Sequence, residues 1–166
     1  MTILSIIIVV CVLLIGYLFI SKFSIRRANK ESFKHYMSGP GMPIIKLSQN
    51  NKEFNFIIDT GSNYSVLNAK WLKDFTYRKL IGSGNVEGIG GPQEASYVEV
   101  IFEQSGKTYN DVFQVLDVPL LDAIGEEANI EIAGLLGNSF LSKYDVKLDY
   151  SNYTTSFLSN GRKNKA

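Results

Sequence analysis

The chain has 166 residues, a length that suits one domain with appendages, and its 17 Lys+Arg against 16 Asp+Glu leave a formal net charge of +1. That balance gives no electrostatic reason to expect nucleic acid as a partner. A single cysteine, Cys11, excludes an intrachain disulfide and a thiolate metal cluster, and a single histidine, His35, removes His-based triads and multi-histidine metal sites. Hydrolysis on this chain has to rely on carboxylates, hydroxyls or lysines, and neither a metal nor an organic cofactor is implied.

From Ile3 to Ile20 the run "ILSIIIVVCVLLIGYLFI" carries no charged residue, and about 18 apolar residues suffice for a membrane-spanning helix. A cleaved signal peptide would show a basic start, a shorter apolar core and a small-residue cleavage site. Nothing basic precedes this run, and "YLFISKF" offers a poor site. Residues 1–20 are read as a transmembrane anchor. Lys22, Arg26, Arg27, Lys30 and Lys34 follow it, opposed only by Glu31, which leaves the domain beyond them in the cytoplasm by the positive-inside rule. The expectation is a single-pass membrane protein in which residues 21–42 form a basic juxtamembrane linker ending in "SGPGMP".

Beyond the linker, short strand-like runs alternate with turn signals. "PIIKLSQ" leads through the hairpin turn "NNKE" into "FNFIID". In "SVLNAKWLKDF", the spacing of Val66, Leu67, Trp71, Leu72 and Phe75 allows a short helical turn. "SYVEVIFEQ" alternates as a strand, "SGKT" turns it back, and "YNDVFQVLDV" returns as another. "PLLDAIGEEANIEI" is ambiguous, a helical turn within a loop being one reading. "GLLGNSFLSKY" reads as a strand end running into a short helix, and "DVKLDYSNYTTSFL" as two strands around "YSN". Asp145 and Asp149 fall on that last alternation as exposed strand carboxylates. Residues 159–166 form a polar, basic tail.

The stretch with the strongest chemical content is "FNFIIDTGSNYSVL", from Phe54 to Leu67. An apolar strand ends on a carboxylate, Asp59, and a turn follows at once. Gly61 lacks a Cβ and allows a close backbone approach. Thr60 and Ser62 bring hydroxyls able to bond backbone or carboxylate oxygens. By itself "DTGS" is equally an ordinary turn, since Asp and Ser favour such positions.

Two apolar residues, then Asp59-Thr60-Gly61-Ser62, then Ser65-Val66-Leu67 resemble the active-site loop of aspartic proteases. "GIGG", Gly88 to Gly91, resembles the flap hairpin of the retropepsin-like members. "IAGLLGNSFL", Ile132 to Leu141, resembles the segment that passes behind the catalytic loop, and "YDVKLDYSNYTTSF" resembles the strands that close such domains. The motifs occur in the family's order over residues 43–158. The resemblance implies an all-β, closed-barrel domain with one short C-terminal helix, acting on a peptide or protein substrate. It gives Asp59 the catalytic role. It has Thr60 bond across a dimer, Gly61 allow the close approach, and Ser62 support the outer carboxylate oxygen. Gly88, Ile89, Gly90 and Gly91 become the flap tip. The chemistry needs two carboxylates and the chain holds one such motif, so the resemblance implies a homodimer. Asn138 stands where retroviral enzymes carry an arginine that braces that dimer. Two other readings remain open: the same fold kept as a catalytically inactive peptide-binding or dimerisation module, or a membrane-tethered scaffold.

Overall fold

The computed structural model describes residues 29–32, 41–88, 91–104 and 106–157. The apolar segment at 3–20, most of the linker and the polar tail lie outside the described residues. Ten strands follow in chain order: β1 (Asn29–Ser32), β2 (Ile44–Gln49), β3 (Lys52–Ile58), β4 (Ser65–Asn68), β5 (Tyr77–Gly88), β6 (Gly91–Gln104), β7 (Lys107–Leu116), β8 (Ile132–Leu136), β9 (Lys147–Asp149) and β10 (Thr154–Phe157). A 3-10 turn at Ala69–Asp74 follows β4. Helix α1 (Pro119–Ala128) precedes β8, and helix α2 (Asn138–Lys143) follows it.

The larger sheet runs β2-β3-β8-β4-β7-β6-β5, and a further pairing of β2 with β6 at Ser48↔Glu103 closes six of these strands into a barrel. Local chemistry explains both the first hairpin and the closure. The β2–β3 turn places Asn50 and Asn51 at φ 51° and 63°, the left-handed pair that a two-residue hairpin requires and that asparagine tolerates. At the closing seam Gln49 is buried, and its amide is fully used. Nε2 donates to the Thr76 and Ile101 carbonyls at 2.8 and 2.9 Å, while Oε1 accepts the Thr76 N–H at 2.6 Å. A buried side-chain amide costs little when so satisfied, and it ties β2 to the strands across the seam.

Inside the barrel Phe54, Phe56, Phe75, Phe102 and Phe113 pack ring against ring, with centroids 4.0 to 6.3 Å apart. Burying each contributes about 1.5–3 kcal/mol. Tyr109, Phe140, Tyr144 and Phe157 extend this core towards α2 and the smaller sheet. A separate cluster of Ile44, Ile57, Leu121 and Ile132 seats α1 against β2, β3 and β8.

Five points differ from the sequence expectation or were left unassigned by it. Residues Pro119–Ala128 form a ten-residue helix where a turn in a loop was one reading, started by Pro119 and ended by Asn129 in the left-handed conformation. Among the described residues the domain thus carries two α-helices rather than one. The 21–42 linker contains β1, which pairs antiparallel with β10 from Asn29↔Phe157 to Ser32↔Thr154 in a three-stranded sheet, β1-β10-β9. Tyr77–Gly88 is a twelve-residue strand, whose glycines hid its β character. Asp145 lies after α2 at φ 50° rather than on a strand, and it is half-buried. Asp149 does lie on β9, but its carboxylate is half-buried and accepts Asn152 N–H and Nδ2–H at 3.0 and 2.7 Å.

Candidate active site

Asp59 follows directly on β3, and the topology fixes where it lies. β8 runs between β3, to which it is parallel (Ile58↔Leu136), and β4, to which it is antiparallel (Val66↔Leu135). Residues 59–64 must therefore arch over the end of β8 to reach β4. That passage is tight. A Cβ on Gly134 would fall against the Val66 carbonyl oxygen, and one on Gly137 against that of Tyr64. Glycine at these two positions is what allows the arch to sit on the strand beneath it.

The loop is held from both sides. Asp59 N–H donates to the Leu136 carbonyl at 3.0 Å, fixing the start of the loop to β8. The turn into α2 then returns three bonds. Asn138 N–H donates to the Ser62 carbonyl at 2.8 Å, Ser139 N–H to that of Asn63 at 3.0 Å, and Asn138 Nδ2 to that of Thr60 at 3.1 Å. Asn138, at the position where the resemblance led one to look for an arginine, thus braces the loop of its own chain.

Within the loop, Gly61 N–H donates to Asp59 Oδ1 at 2.9 Å. A Cβ on Gly61 would lie 3.2 Å from that oxygen, so a side chain here crowds the carboxylate. Among the described residues, Asp59 Oδ2 accepts no hydrogen bond, and the side chain is half-buried. One oxygen is anchored and the other is open to a reactant, an arrangement that suits a general acid or base. Ser62 differs from expectation. Its hydroxyl donates to the Tyr64 carbonyl, two residues on, at 2.7 Å rather than to the outer oxygen of Asp59. Thr60 is exposed.

Gly88 and Gly91 pair with each other at the tip of the β5–β6 hairpin, with Gly91 at φ 89°, and Ile89 and Gly90 lie outside the described residues. Among the described residues no hydrogen bond joins this tip to the Asp59 loop. A cavity of 330 Å³ lies elsewhere, lined by residues that include Lys70, Asp122, Gly125 and Glu126, and Asp59 is not part of it.

Three polar residues lie beneath the arch with no role assigned from the sequence: Ser65, Asp111 and Ser139. Asp111 is 5% exposed and accepts both hydroxyls on Oδ2, from Ser65 at 2.6 Å and Ser139 at 2.9 Å. Burial pushes its carboxyl above the usual range, against the two hydroxyls, the Val112 N–H and the charge of Lys143, all of which favour ionisation. The signal was present in "YNDVFQV". Alternation puts Asp111 on the same inward face as Tyr109, Phe113 and Val115, and a carboxylate in such a column needs partners.

A family model described as "Aspartyl protease" matches residues 45–140, more than half of the chain. A solved structure described as EIAV protease complexed with the inhibitor HBY-793 aligns at 23% identity and a TM-score of 0.45, over 65% of this chain and 90% of that one. No curated protein matches.

Proposed function

From the premise that the chain belongs to the aspartyl protease family, we propose that it is an aspartic endopeptidase whose active site is shared by two copies. The observation that carries this reading is the fixed, half-open carboxylate of Asp59. Oδ1 is held by the Gly61 N–H, and the loop is tied at both ends to one strand and the helix that follows it. Peptide hydrolysis by this chemistry uses two carboxylates that share one proton around a water. One takes a proton from the water as it attacks the scissile carbonyl, and the other donates to the carbonyl oxygen. One chain presents one such loop, so a second Asp59 has to come from a second copy by a two-fold contact. The exposed Thr60 is free to bond across that contact.

The β5–β6 hairpin, with Gly88, Ile89, Gly90 and Gly91 at its tip, serves in this proposal as the lid over bound peptide. Residues 1–20 anchor the chain as a single transmembrane helix, with the catalytic domain on the cytoplasmic side. Confinement to a surface raises the encounter rate of two half-sites. The test is cleavage of fluorescein-labelled casein by the full chain in detergent. Wild type is expected to cleave it and Asp59→Asn to lose turnover while keeping its circular dichroism. An Asp59→Asn protein as active as wild type refutes the aspartic mechanism. Folded, dimeric wild type without turnover supports the inactive binding module instead.

A further inference from the structure

Resting on that reading, we propose that Asp111 is a positioning residue for the active site, a buried carboxylate that sets Asp59 through two serine hydroxyls. A hydroxyl has one proton to give and lone pairs to receive with. Ser65 and Ser139 both direct that proton to Asp111 Oδ2, at 2.6 and 2.9 Å. Their lone pairs are thereby aimed elsewhere. Ser65 Oγ accepts the Gly137 N–H at 3.1 Å, and Ser139 Oγ accepts the Ser65 N–H at 3.1 Å. The two hydroxyls lie 3.3 Å apart, close enough to bond each other, and a shared acceptor removes that alternative.

The consequence is a chain of bonds from the core to the reacting group. Ser65 is the first residue of β4, where the arch ends. Gly137, Asn138 and Ser139 form the turn that holds the arch at Thr60, Ser62 and Asn63. Asp111 joins these two segments from below, and it comes from a third strand, β7, whose Phe113 lies opposite Ser65 in the parallel pairing. A double acceptor is required here, which a carboxylate supplies and an apolar side chain of the same size does not. Charged and titratable groups at the end of α2 face it, Lys143 in the last turn and Tyr144 at the C-cap. Lys143 Nζ sits on the Asn110 carbonyl and side chain at 2.7 and 3.0 Å, and Tyr144 OH donates to the same carbonyl at 2.9 Å. Both feel the Asp111 charge.

The test uses the full chain in detergent and two variants, Asp111→Leu, which keeps the branched skeleton but is bulkier, and Asp111→Asn, which is isosteric. The Leu variant removes the acceptor, and the Asn variant keeps one oxygen for the two hydroxyls. In Asp111→Leu, amide hydrogen exchange at Ser62, Asn138 and Ser139 is expected to quicken about tenfold or more. Its kcat on labelled casein is expected to fall by a similar factor or more with KM within about twofold, since a small misplacement of Asp59 is costly to turnover. Asp111→Asn is expected to restore most of both. Exchange in Asp111→Asn as fast as in Asp111→Leu, or wild-type exchange at these amides in a folded Asp111→Leu protein, overturns the proposal. If the Leu variant does not fold, Ser139→Ala decides. It is expected to quicken exchange at Ser65, whose N–H loses its acceptor, and no change there overturns the proposal equally. Exchange is read without turnover, so an inactive wild type refutes the protease reading while the brace is still tested.

Discussion

Gly137→Ala probes the arch most directly, because its effect is purely one of contact. Gly137 has φ −92° and ψ −174°, extended backbone that alanine adopts freely, so conformational strain contributes nothing. The added Cβ would meet the Tyr64 carbonyl, 2.5 Å from its carbon, and lie 3.0 Å from the Ser62 carbonyl oxygen. Both are backbone and cannot swing aside. Relief requires the loop to lift from β8, and the bonds at risk are Asn138 N–H to Ser62, Ser139 N–H to Asn63 and Gly137 N–H to Ser65 Oγ. Overpacking costs about 1–3 kcal/mol, and each lost bond about 1 kcal/mol. With two of these three bonds lost, we expect a destabilisation of about 3–5 kcal/mol. At roughly 4 °C per kcal/mol this is a fall in Tm of about 12–20 °C. Thermal unfolding followed by circular dichroism measures it, with Gly106→Ala as control. Gly106 has φ 73° and open space around its Cβ position, so only left-handed strain of about 1–2 kcal/mol applies. A Gly137→Ala protein that melts within 3 °C of wild type, about 1 kcal/mol, would refute the contact reasoning.

Two further predictions concern pH and assembly. Glu99 is held below the usual carboxylate range by the Arg78 guanidinium and the Asn110 amide, so the stability it contributes is present above the ordinary carboxylate pKa and lost as pH falls through its folded value. Asp111 has the opposite sign: its raised pKa gives a contribution present below the ordinary value and lost as pH rises through the folded one. Urea midpoints against pH should therefore lose acid-side slope in Glu99→Gln and show the Asp111 effect vanish in Asp111→Asn; unchanged profiles would contradict both assignments. A soluble fragment starting ahead of Asn29, to retain β1, is expected to lose specific activity cooperatively on dilution, and full activity in a proven monomer would count against the shared site.

Much of this fold is legible in the sequence where local chemistry and tertiary role agree. "NN" between two alternating runs specifies a hairpin by itself, and "FNFIID" and "YNDVFQV" show their buried faces through alternation. The Asp59 loop is legible because a close passage requires its glycines, and those of "IAGLLG", at fixed places. What was hidden depends on partners far along the chain. β1 is "NKES", polar and without alternation, and it is a strand because β10 supplies its hydrogen bonds. β5 is rich in glycine, and its pairing with the longer β6 holds it extended. Helix α1 carries a glycine at position 125 whose missing Cβ lets the Ile130 carbonyl approach, so a helix-breaking signal proved to be a packing requirement. The direction of the Ser62 hydroxyl depended on the shape of the arch, which no spacing encodes.

The central claim is that two copies of Asp59 make one active site, and subunit mixing tests it. Wild type and Asp59→Asn are combined in equal amounts at fixed total concentration, equilibrated, and assayed on labelled casein. If each site needs both carboxylates, activity follows the square of the wild-type fraction, and the equal mixture gives about one quarter of the all-wild-type rate. A rate of about one half, linear in the wild-type fraction, would mean that each chain acts alone, and about three quarters that one Asp59 per dimer suffices; either would contradict the account.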